Sequence, residues 1–288
     1  MKIRQLGYLG AALILTAGAF AQDDISFKST KLADGLYMLE GVGGFAGGNL
    51  GLLAGDDGVV LIDDGLEQYT AQLLEAVSAA AGARVDFVIN THVHGDHVGG
   101  NAALHSHGAR IVAHDSIRAR MVASDAARDA LPELTFNNEM SFYLNGQRAH
   151  LLHVANAHTD GDAVIVFPEA NVIHTGDTMF NGLFPFIDLD SGGSVSGFIA
   201  AQTRLINLAN EETRIIPGHG PLANRADLVR ARDMLADAES RIRALLDQGM
   251  KADAILAANP LADYGESWSW GFITTERMTQ TLIRALSE

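Results

Sequence analysis

The stretch THVHGDHVGG, residues 91–100, places three of the chain's 11 histidines within six positions and adds a carboxylate. His92, His94 and His97 share this turn with Asp96. Protonated imidazoles this close together repel one another and gain little from burial, so a bound cation is the simplest partner that would hold them. A strand predicted at 85–90 ends directly before the turn, and α/β proteins usually bind ligands at such strand ends. The stretch therefore predicts a metal site at the edge of a sheet.

The spacing within this turn predicts two pairs of ligands. Side chains alternate along an extended backbone, so His92 and His94 point to the same side. Gly95 lets the chain turn tightly and aims Asp96 and His97 as a second pair nearby. One short loop can thus supply two ligands to one metal ion and two to its neighbour. Because the chain has no cysteine, any metal site must use nitrogen and oxygen ligands alone.

Three distant segments carry further candidate ligands. His158 lies in AHTDGD (157–162), and His219 lies in PGHG (217–220). Asp177 ends the segment HTGD (174–177), just past a predicted strand. Each of these residues lies in a polar or glycine-containing turn beside a strand, so all three are candidates for the same metal site.

The set THVHGDH, AHTDGD, HTGD and PGHG resembles the metallo-β-lactamase superfamily, in order and in separation, along nearly all of the chain after residue 21. The resemblance implies an αββα sandwich, in which two mixed sheets pack face to face with helices outside. It also implies two zinc ions with seven ligands: His92, His94 and His158 for the first, Asp96, His97 and His219 for the second, and Asp177 able to bridge both. Asp63, at a predicted strand end, matches the superfamily's supporting aspartate and would orient a ligand histidine.

The pattern of elements independently predicts an α/β sandwich in one domain. The predicted strands are 36–39, 49–54, 58–63, 85–90, 109–113, 140–145, 148–154, 162–167, 171–175 and 213–216. The predicted helices are 66–81, 98–107, 114–124, 194–210 and 224–248, and the last of them closes the chain. The segment 55–58 predicts a hairpin turn, Gly82 and Gly249 predict helix ends, and Asn224 predicts a helix cap.

Residues 1–21 are typical of a secretory signal peptide. Lys2 and Arg4 precede a short apolar stretch, which ends in a small-x-small site at 19–21. The alternative is an uncleaved anchor, but the stretch is short for a membrane span and contains several glycines. We therefore expect a periplasmic or secreted protein, with a catalytic domain at 22–288 and no membrane attachment after cleavage.

The charge of the chain excludes some classes of partner. The formal net charge is −15 at pH 7, and no basic run is present to neutralise phosphates. Nucleic acid and anionic membranes are therefore unfavourable partners, and a small-molecule substrate is expected. The sequence leaves the oligomeric state open.

The predicted reaction is hydrolysis of an acyl bond. Two divalent ions a few ångströms apart can hold a hydroxide between them, because each lowers the pKa of the bound water toward about 7. Asp96 is the candidate catalytic residue, since it lies where it can accept or return a proton. Zinc is the expected metal, although ligands that are all nitrogen or oxygen also accept iron or manganese.

β-Lactam hydrolysis is the favoured activity, because an export signal would bring the protein to where such substrates meet the cell. Two residues depart from the best-known periplasmic zinc β-lactamases. Asp177 stands at their metal-binding cysteine, as in the hydroxyacylglutathione hydrolases, and Phe180 stands where many carry a lysine for the substrate carboxylate. Arg118 or Arg120 could replace that lysine. The alternatives are a lactonase, esterase or thioesterase and, without catalysis, a periplasmic metal-binding scaffold, which would be expected to have lost a ligand.

The remaining candidate residues receive structural interpretations. Six histidines are expected to be ordinary surface or core residues: His105, His107, His114, His150, His153 and His174. Trp268 and Trp270 are expected to be packing residues, with a position at the rim of a substrate site as the alternative. The segment GSVSG (193–197) has its serines in the wrong frame for a nucleophile elbow, and it predicts a loop and a helix start.

Overall fold

Two β-sheets pack face to face in the computed structural model, which describes residues 25–287. The first sheet has seven strands, in the order β1 (Ser26–Ala33), β2 (Leu36–Val42), β3 (Leu50–Gly55), β4 (Gly58–Ile62), β5 (Phe87–Ile89), β6 (Arg110–His114) and β7 (Leu134–Phe136). The second has six, in the spatial order β13 (Ala223–Asn224), β12 (Arg214–Ile216), β11 (Val172–His174), β10 (Ala163–Phe167), β9 (Gln147–His153) and β8 (Glu139–Leu144). Apolar side chains from both sheets, including Ile62, Val112, Ile165 and Phe167, form the core between them.

Helices cover the outer faces of both sheets. The helices within residues 25–287 are α1 (Thr70–Ala81), α2 (Gly95–Val98), α3 (Asn101–Ser106), α4 (Asp115–Ala123), α5 (Val195–Leu208), α6 (Arg225–Asp247), α7 (Ala252–Ala258), α8 (Gly265–Trp268) and α9 (Thr275–Ser287). Leu73 and Val77 of α1 pack on the first sheet, and Leu205 of α5 and Leu228 of α6 pack on the second. The predicted αββα sandwich is confirmed.

Strand direction brings the loops that carry the candidate ligands to one edge. β9 and β11 run the same way, because β10 between them is antiparallel to both, and β12 is parallel to β11. In the first sheet β4 and β5 are parallel. The loops after β5, β9, β11 and β12 therefore leave the carboxyl ends of their strands, and they contain all the candidate ligands.

Most local predictions agree with the structure. Gly55 pairs with Gly58 in the predicted hairpin, and α1 ends at Gly82 with a φ of 65°. Asn224 caps α6 through a capping box with Asp227, which satisfies two backbone N–H groups at the helix start. The predicted helix 98–107 is instead two helices, α2 and α3, which are separated at Gly99, where the backbone packs tightly against residues 65–67.

Neither β1 nor the helices after α6 were predicted from the sequence. The edge strand β1 has mostly exposed or partly exposed side chains, so its alternating pattern is weak. The prediction that helix 224–248 closes the chain is wrong, because α7, α8 and α9 follow it. Met278, Leu282 and Ile283 of α9 are buried against α6 and the segment after β11. These last helices therefore form a further apolar layer that reaches the site edge.

The predicted signal peptide, residues 1–21, lies outside the described residues. Within residues 25–287, no helix is both long enough and apolar enough to cross a bilayer.

Candidate metal centre

The histidine turn leaves β5 and divides its ligands between two groups. His92 and His94 precede α2, and their rings are 4.9 Å apart between centroids. Asp96 and His97 lie within α2, which begins at Gly95. The turn therefore presents two side chains to each of two neighbouring positions, as its spacing predicts.

The first group combines His92, His94, His158 and Asp177, whose candidate ligand atoms all lie within 4.8 Å of one another. His158 comes from the loop between β9 and β10, and its Nε2 is 2.8 Å from His94 Nδ1. His92 and His158 are buried, whereas the His94 side chain remains 24% exposed. The exposed side of this group therefore lies at His94.

The second group combines Asp96, His97 and His219, again with candidate ligand atoms within 4.8 Å of one another. Asp96 Oδ2 lies 3.3 Å from His219 Nε2 and 3.5 Å from His97 Nε2. Gly218 is required beside His219, because a Cβ there would collide with Asp177 Oδ1. The PGHG turn can therefore approach the site only with glycine before its histidine.

Asp177 lies between the two groups, in a short 3-10 turn after β11. Its Oδ2 is 3.5 Å from His158 Nε2 and 3.4 Å from His219 Nε2, and its Oδ1 is 3.2 Å from His97 Nε2. A single carboxylate thus faces nitrogen atoms of both groups. The structure brings together all seven residues that the sequence singled out; their binding of metal stays a prediction.

Contacts outside the groups decide which ring nitrogen faces inward. Asp63 Oδ2 contacts His97 Nδ1 at 2.7 Å, as expected for a supporting aspartate. Asp188 Oδ2 contacts His94 Nε2 at 2.9 Å, and the Phe186 carbonyl accepts from His158 Nδ1 at 2.7 Å. Sequence reasoning missed Asp188 and Phe186, and no local spacing around them signals the role. Each contact leaves the other nitrogen of its histidine directed into the site.

The histidines of the centre differ in their pKa values. Burial lowers the pKa of His158 to about 4, so this ring is neutral at pH 7. Burial also disfavours the charged form of His219, but the Asp177 and Asp96 carboxylates outweigh it and raise the pKa of His219 to about 9. Burial likewise opposes ionisation of Asp177, yet the neighbouring histidines hold its pKa well below normal. Without metal, the centre therefore combines an anionic Asp177 with a neutral His158 and a protonated His219 at pH 7.

Three buried atoms of the centre make no hydrogen bond of adequate geometry: His92 Nε2, His97 Nε2 and Asp177 Oδ1, although the last two lie 3.2 Å apart. An unpaired buried polar atom costs about 1–3 kcal/mol. All three point into the centre, and imidazole nitrogens with carboxylate oxygens are the donors that divalent zinc, iron and manganese accept. The residues therefore fit metal ions at this position.

A cavity of about 570 Å³ opens beside the centre, and Phe180 and Trp270 contribute to its wall. Phe180, at the position of the lysine discussed above, is buried and stacks on His219 with ring centroids 5.1 Å apart. Trp268 packs among the last helices, as expected for a packing residue, whereas Trp270 both packs there and lines the cavity.

Neither proposed replacement for the missing lysine reaches this cavity. Arg120 forms a bidentate pair with Asp160, at 2.7 and 2.8 Å. Arg118 donates to the Pro132 carbonyl and lines a separate groove. The hypothesis that either arginine replaces the lysine is therefore wrong, because both are held by other partners.

The other six histidines lie outside the two groups, as expected. His114 and His153 stack on each other with ring centroids 3.8 Å apart. His174 is buried, accepts from the Gly176 N–H, and has its pKa lowered to about 4 by burial. The segment 193–197 is a helix start, in which Ser194 Oγ accepts from the Gly197 N–H to cap α5.

Residues 43–220 match the model of the metallo-β-lactamase superfamily. This match covers more than half of the sequence, and the chain belongs to that superfamily. A hydroxyacylglutathione hydrolase of Polaromonas sp. is 26% identical over 161 residues, which are 55% of this chain and 57% of the relative. A metallo-β-lactamase type 2 of Bacillus cereus is 23% identical over 180 residues, which are 62% of this chain and 69% of the relative. The chain thus matches only about half to two-thirds of each curated relative.

Solved structures agree in fold. A metallo-β-lactamase from Pontibacter korlensis superposes with a TM-score of 0.64 at 19% identity, covering 74% of this chain and 100% of that one. The DIM-1 metallo-β-lactamase superposes with a TM-score of 0.61 at 15% identity, covering 74% and 99%. The fold and the superfamily are as the sequence predicted. The superfamily and the two ligand groups together indicate that the centre binds metal ions.

Proposed function

We propose that the protein is an exported hydrolase that uses two zinc ions to cleave an acyl bond in a small molecule. The observation that carries this proposal is the position of Asp177, whose Oδ2 lies 3.4 Å from His219 Nε2 and 3.5 Å from His158 Nε2. A carboxylate shared between two nitrogen-rich groups is suited to two adjacent cations. The scaffold alternative is disfavoured, because it would have lost a ligand and all seven candidates are present at the centre.

The residues of the centre have separable roles in this reaction. His92, His94 and His158 would hold the first ion, Asp96, His97 and His219 would hold the second, and Asp177 would contact both. When bound, the two ions would polarise the substrate carbonyl and make water acidic enough to act as the nucleophile near neutral pH.

Asp96 is the residue suited to proton transfer. Its side chain is 22% exposed and lines the cavity, whereas Asp177 is buried. Its Oδ2 lies within 3.5 Å of His97 Nε2 and His219 Nε2, which hold the carboxylate in its anionic form. We assign to Asp96 the acceptance of a proton from the attacking water and its return to the leaving group.

Esters, thioesters and lactones are the substrates that the cavity favours. Phe180 occupies the position at which many periplasmic zinc β-lactamases carry a substrate-binding lysine. Arg118 and Arg120 are hydrogen-bonded to other residues. A β-lactam carboxylate would therefore lack the ion pair that this lysine supplies, at a cost of about 1.5–3 kcal/mol. β-Lactam hydrolysis remains the second candidate, which the likeness to the Bacillus cereus relative favours.

A substrate panel with a chelator tests the proposal. The zinc-loaded protein is assayed with 4-nitrophenyl butyrate, S-lactoylglutathione and nitrocefin, before and after 1,10-phenanthroline and after zinc is restored. We expect turnover that the chelator abolishes and zinc restores. His92→Ala should lower this turnover more than about 100-fold, beyond the usual cost of losing an outer contact.

His107→Ala is the matched control, because this histidine is exposed and lies at the end of α3, outside both groups. It should retain the parent rate. Absence of chelator-sensitive turnover on all three substrates would favour the scaffold, and full activity in His92→Ala would exclude this centre as the catalytic site. The export proposal has its own test: the exported protein should begin after Ala21, and an N-terminus at Met1 would contradict it.

A further inference from the structure

The cavity beside the metal centre has an aromatic wall. Besides Leu66, its apolar lining consists of five aromatic side chains: Phe45, Phe180, Phe186, Trp270 and Phe272. Every other lining residue except Gly95 is a candidate metal ligand. Phe186 and Phe272 pack edge to face at 5.3 Å, and Trp270 and Phe272 lie 5.6 Å apart between ring centroids. Phe180 and Trp270 lie 6.1 Å apart between ring centroids, so four of the rings form a continuous aromatic surface beside the centre. Phe45 stacks on His219 with ring centroids 6.0 Å apart.

This wall offers a substrate no polar group of its own. The indole N–H of Trp270 already donates to the Phe184 carbonyl at 2.9 Å. Arg277 touches the wall: its guanidinium lies 4.0 Å from the Phe272 ring centroid and 5.6 Å from that of Phe186, and it donates to the Phe272 carbonyl at 3.0 Å. It lines a neighbouring groove rather than the cavity. Within residues 25–287, no lysine or arginine lines the cavity.

We propose that this aromatic wall selects acyl substrates whose body is uncharged and apolar, such as medium-chain or aryl esters and lactones, and rejects those that carry a carboxylate. The inference rests on the proposed hydrolase function and specifies its substrate class. Each methylene buried against the wall should raise kcat/KM about two- to fourfold. A carboxylate placed there would lose its hydration and find no lysine or arginine among the residues that line the cavity.

A pair of matched esters tests the selectivity. 4-Nitrophenyl heptanoate and mono-4-nitrophenyl adipate have acyl groups of similar length, but only the adipate ends in a carboxylate. We expect kcat/KM of the zinc-loaded protein to be at least tenfold higher for the heptanoate, and to rise along the series acetate, butyrate, heptanoate. Equal values for the heptanoate and the adipate, or a preference for the adipate, would overturn the inference.

Substitutions at Phe272 test whether the wall causes the selectivity. This side chain is 44% exposed, so its replacement is compatible with folding. Phe272→Lys adds a cation at the cavity, and Phe272→Gln removes the ring without adding charge. The preference for heptanoate over adipate should be at least fivefold smaller in Phe272→Lys than in Phe272→Gln. Identical preferences in the two variants would exclude the wall as its cause.

A binding measurement separates this inference from the proposed function. N-Phenyl-1-naphthylamine is a neutral apolar dye whose fluorescence reports binding without turnover. Its Kd should rise at least fivefold in Phe272→Gln and stay unchanged in Tyr143→Gln, which alters an exposed aromatic residue of β8 outside the cavity. Normal dye binding without any turnover would contradict the hydrolase and leave the apolar site standing. Unchanged dye affinity in Phe272→Gln would overturn the apolar site even in an active hydrolase.

Discussion

His97 Nδ1 lies 2.7 Å from Asp63 Oδ2, and both side chains are fully buried. The same carboxylate accepts from the N–H and the hydroxyl of Thr91, at the start of the histidine turn. Asp63 therefore holds both the orientation of His97 and the path of the loop that carries four candidate ligands.

Asp63→Asn should weaken zinc binding at the second group by about 10–100-fold, because an amide N–H2 in place of Oδ2 would face two groups that themselves donate, the Thr91 hydroxyl and His97 Nδ1. Asn tolerates the positive φ of 59° at this position, so the backbone should persist. Titration against a chromophoric chelator measures both affinities. The first group is the internal control, and an unchanged second affinity would contradict the role of Asp63.

Asp188→Ala should weaken zinc binding at the first group by about 10–100-fold, because it removes the carboxylate 2.9 Å from His94 Nε2. Asp190→Ala is the matched control: it lies two residues away, is exposed, and pairs with Arg284 at the surface. It should leave both affinities within about twofold, since exposed ion pairs contribute little. Equal effects of the two substitutions would contradict a role of Asp188 in orienting His94 for metal binding.

Asp177→Ala should lower zinc occupancy at both groups, and more at the second. The closest contacts of Asp177 are to His97 at 3.2 Å and His219 at 3.4 Å, both of the second group, while the first group keeps three imidazoles. Metal analysis after dialysis against limiting zinc gives the two occupancies. Equal loss at the two groups would count against this assignment of ligands.

The metal-free protein should lose stability as the pH rises from 7 to 10. The pKa of His219 is about 9 in the folded chain, above the ordinary value of 6.5, because of the carboxylates of Asp177 and Asp96. Its contribution to the free energy of unfolding is therefore fully present below about pH 6.5 and is lost as the pH passes through 9. Thermal melts in excess chelator measure this loss, which should shrink in His219→Gln. A Tm that rises over this interval would contradict the predicted charge state.

The ligands were predictable because metal sites impose short-range patterns. The four ligands of the histidine turn lie within six positions, and the remaining three follow predicted strands. The histidine turn and the other three ligands follow strands of different sheets, so their meeting at one centre was predicted from the resemblance to the metallo-β-lactamase superfamily. The helix cap at Asn224 and the helix end at Gly82 could be predicted too, because both depend on local backbone geometry.

Long-range contacts could not be predicted in the same way. Asp188 contacts His94 although the two residues are 94 positions apart in the sequence. The residues around Asp188 show no spacing that would predict this contact. The partners of Arg118 and Arg120 were also invisible, which is why both were wrongly considered for the substrate. The aromatic wall combines Phe45, from the loop after β2, with Phe272, which lies more than 200 positions later in the sequence. By contrast, α9 has apolar residues at helical spacing, at Met278, Leu282 and Ile283, so this helix was predictable and was missed.

Anomalous diffraction at the zinc edge, from crystals of the zinc-loaded protein, tests the central claim most directly. Two peaks should appear on either side of the Asp177 carboxylate, one contacting His92, His94 and His158 and the other contacting Asp96, His97 and His219. A single peak, or zinc bound away from these seven side chains, would contradict the proposed two-metal centre.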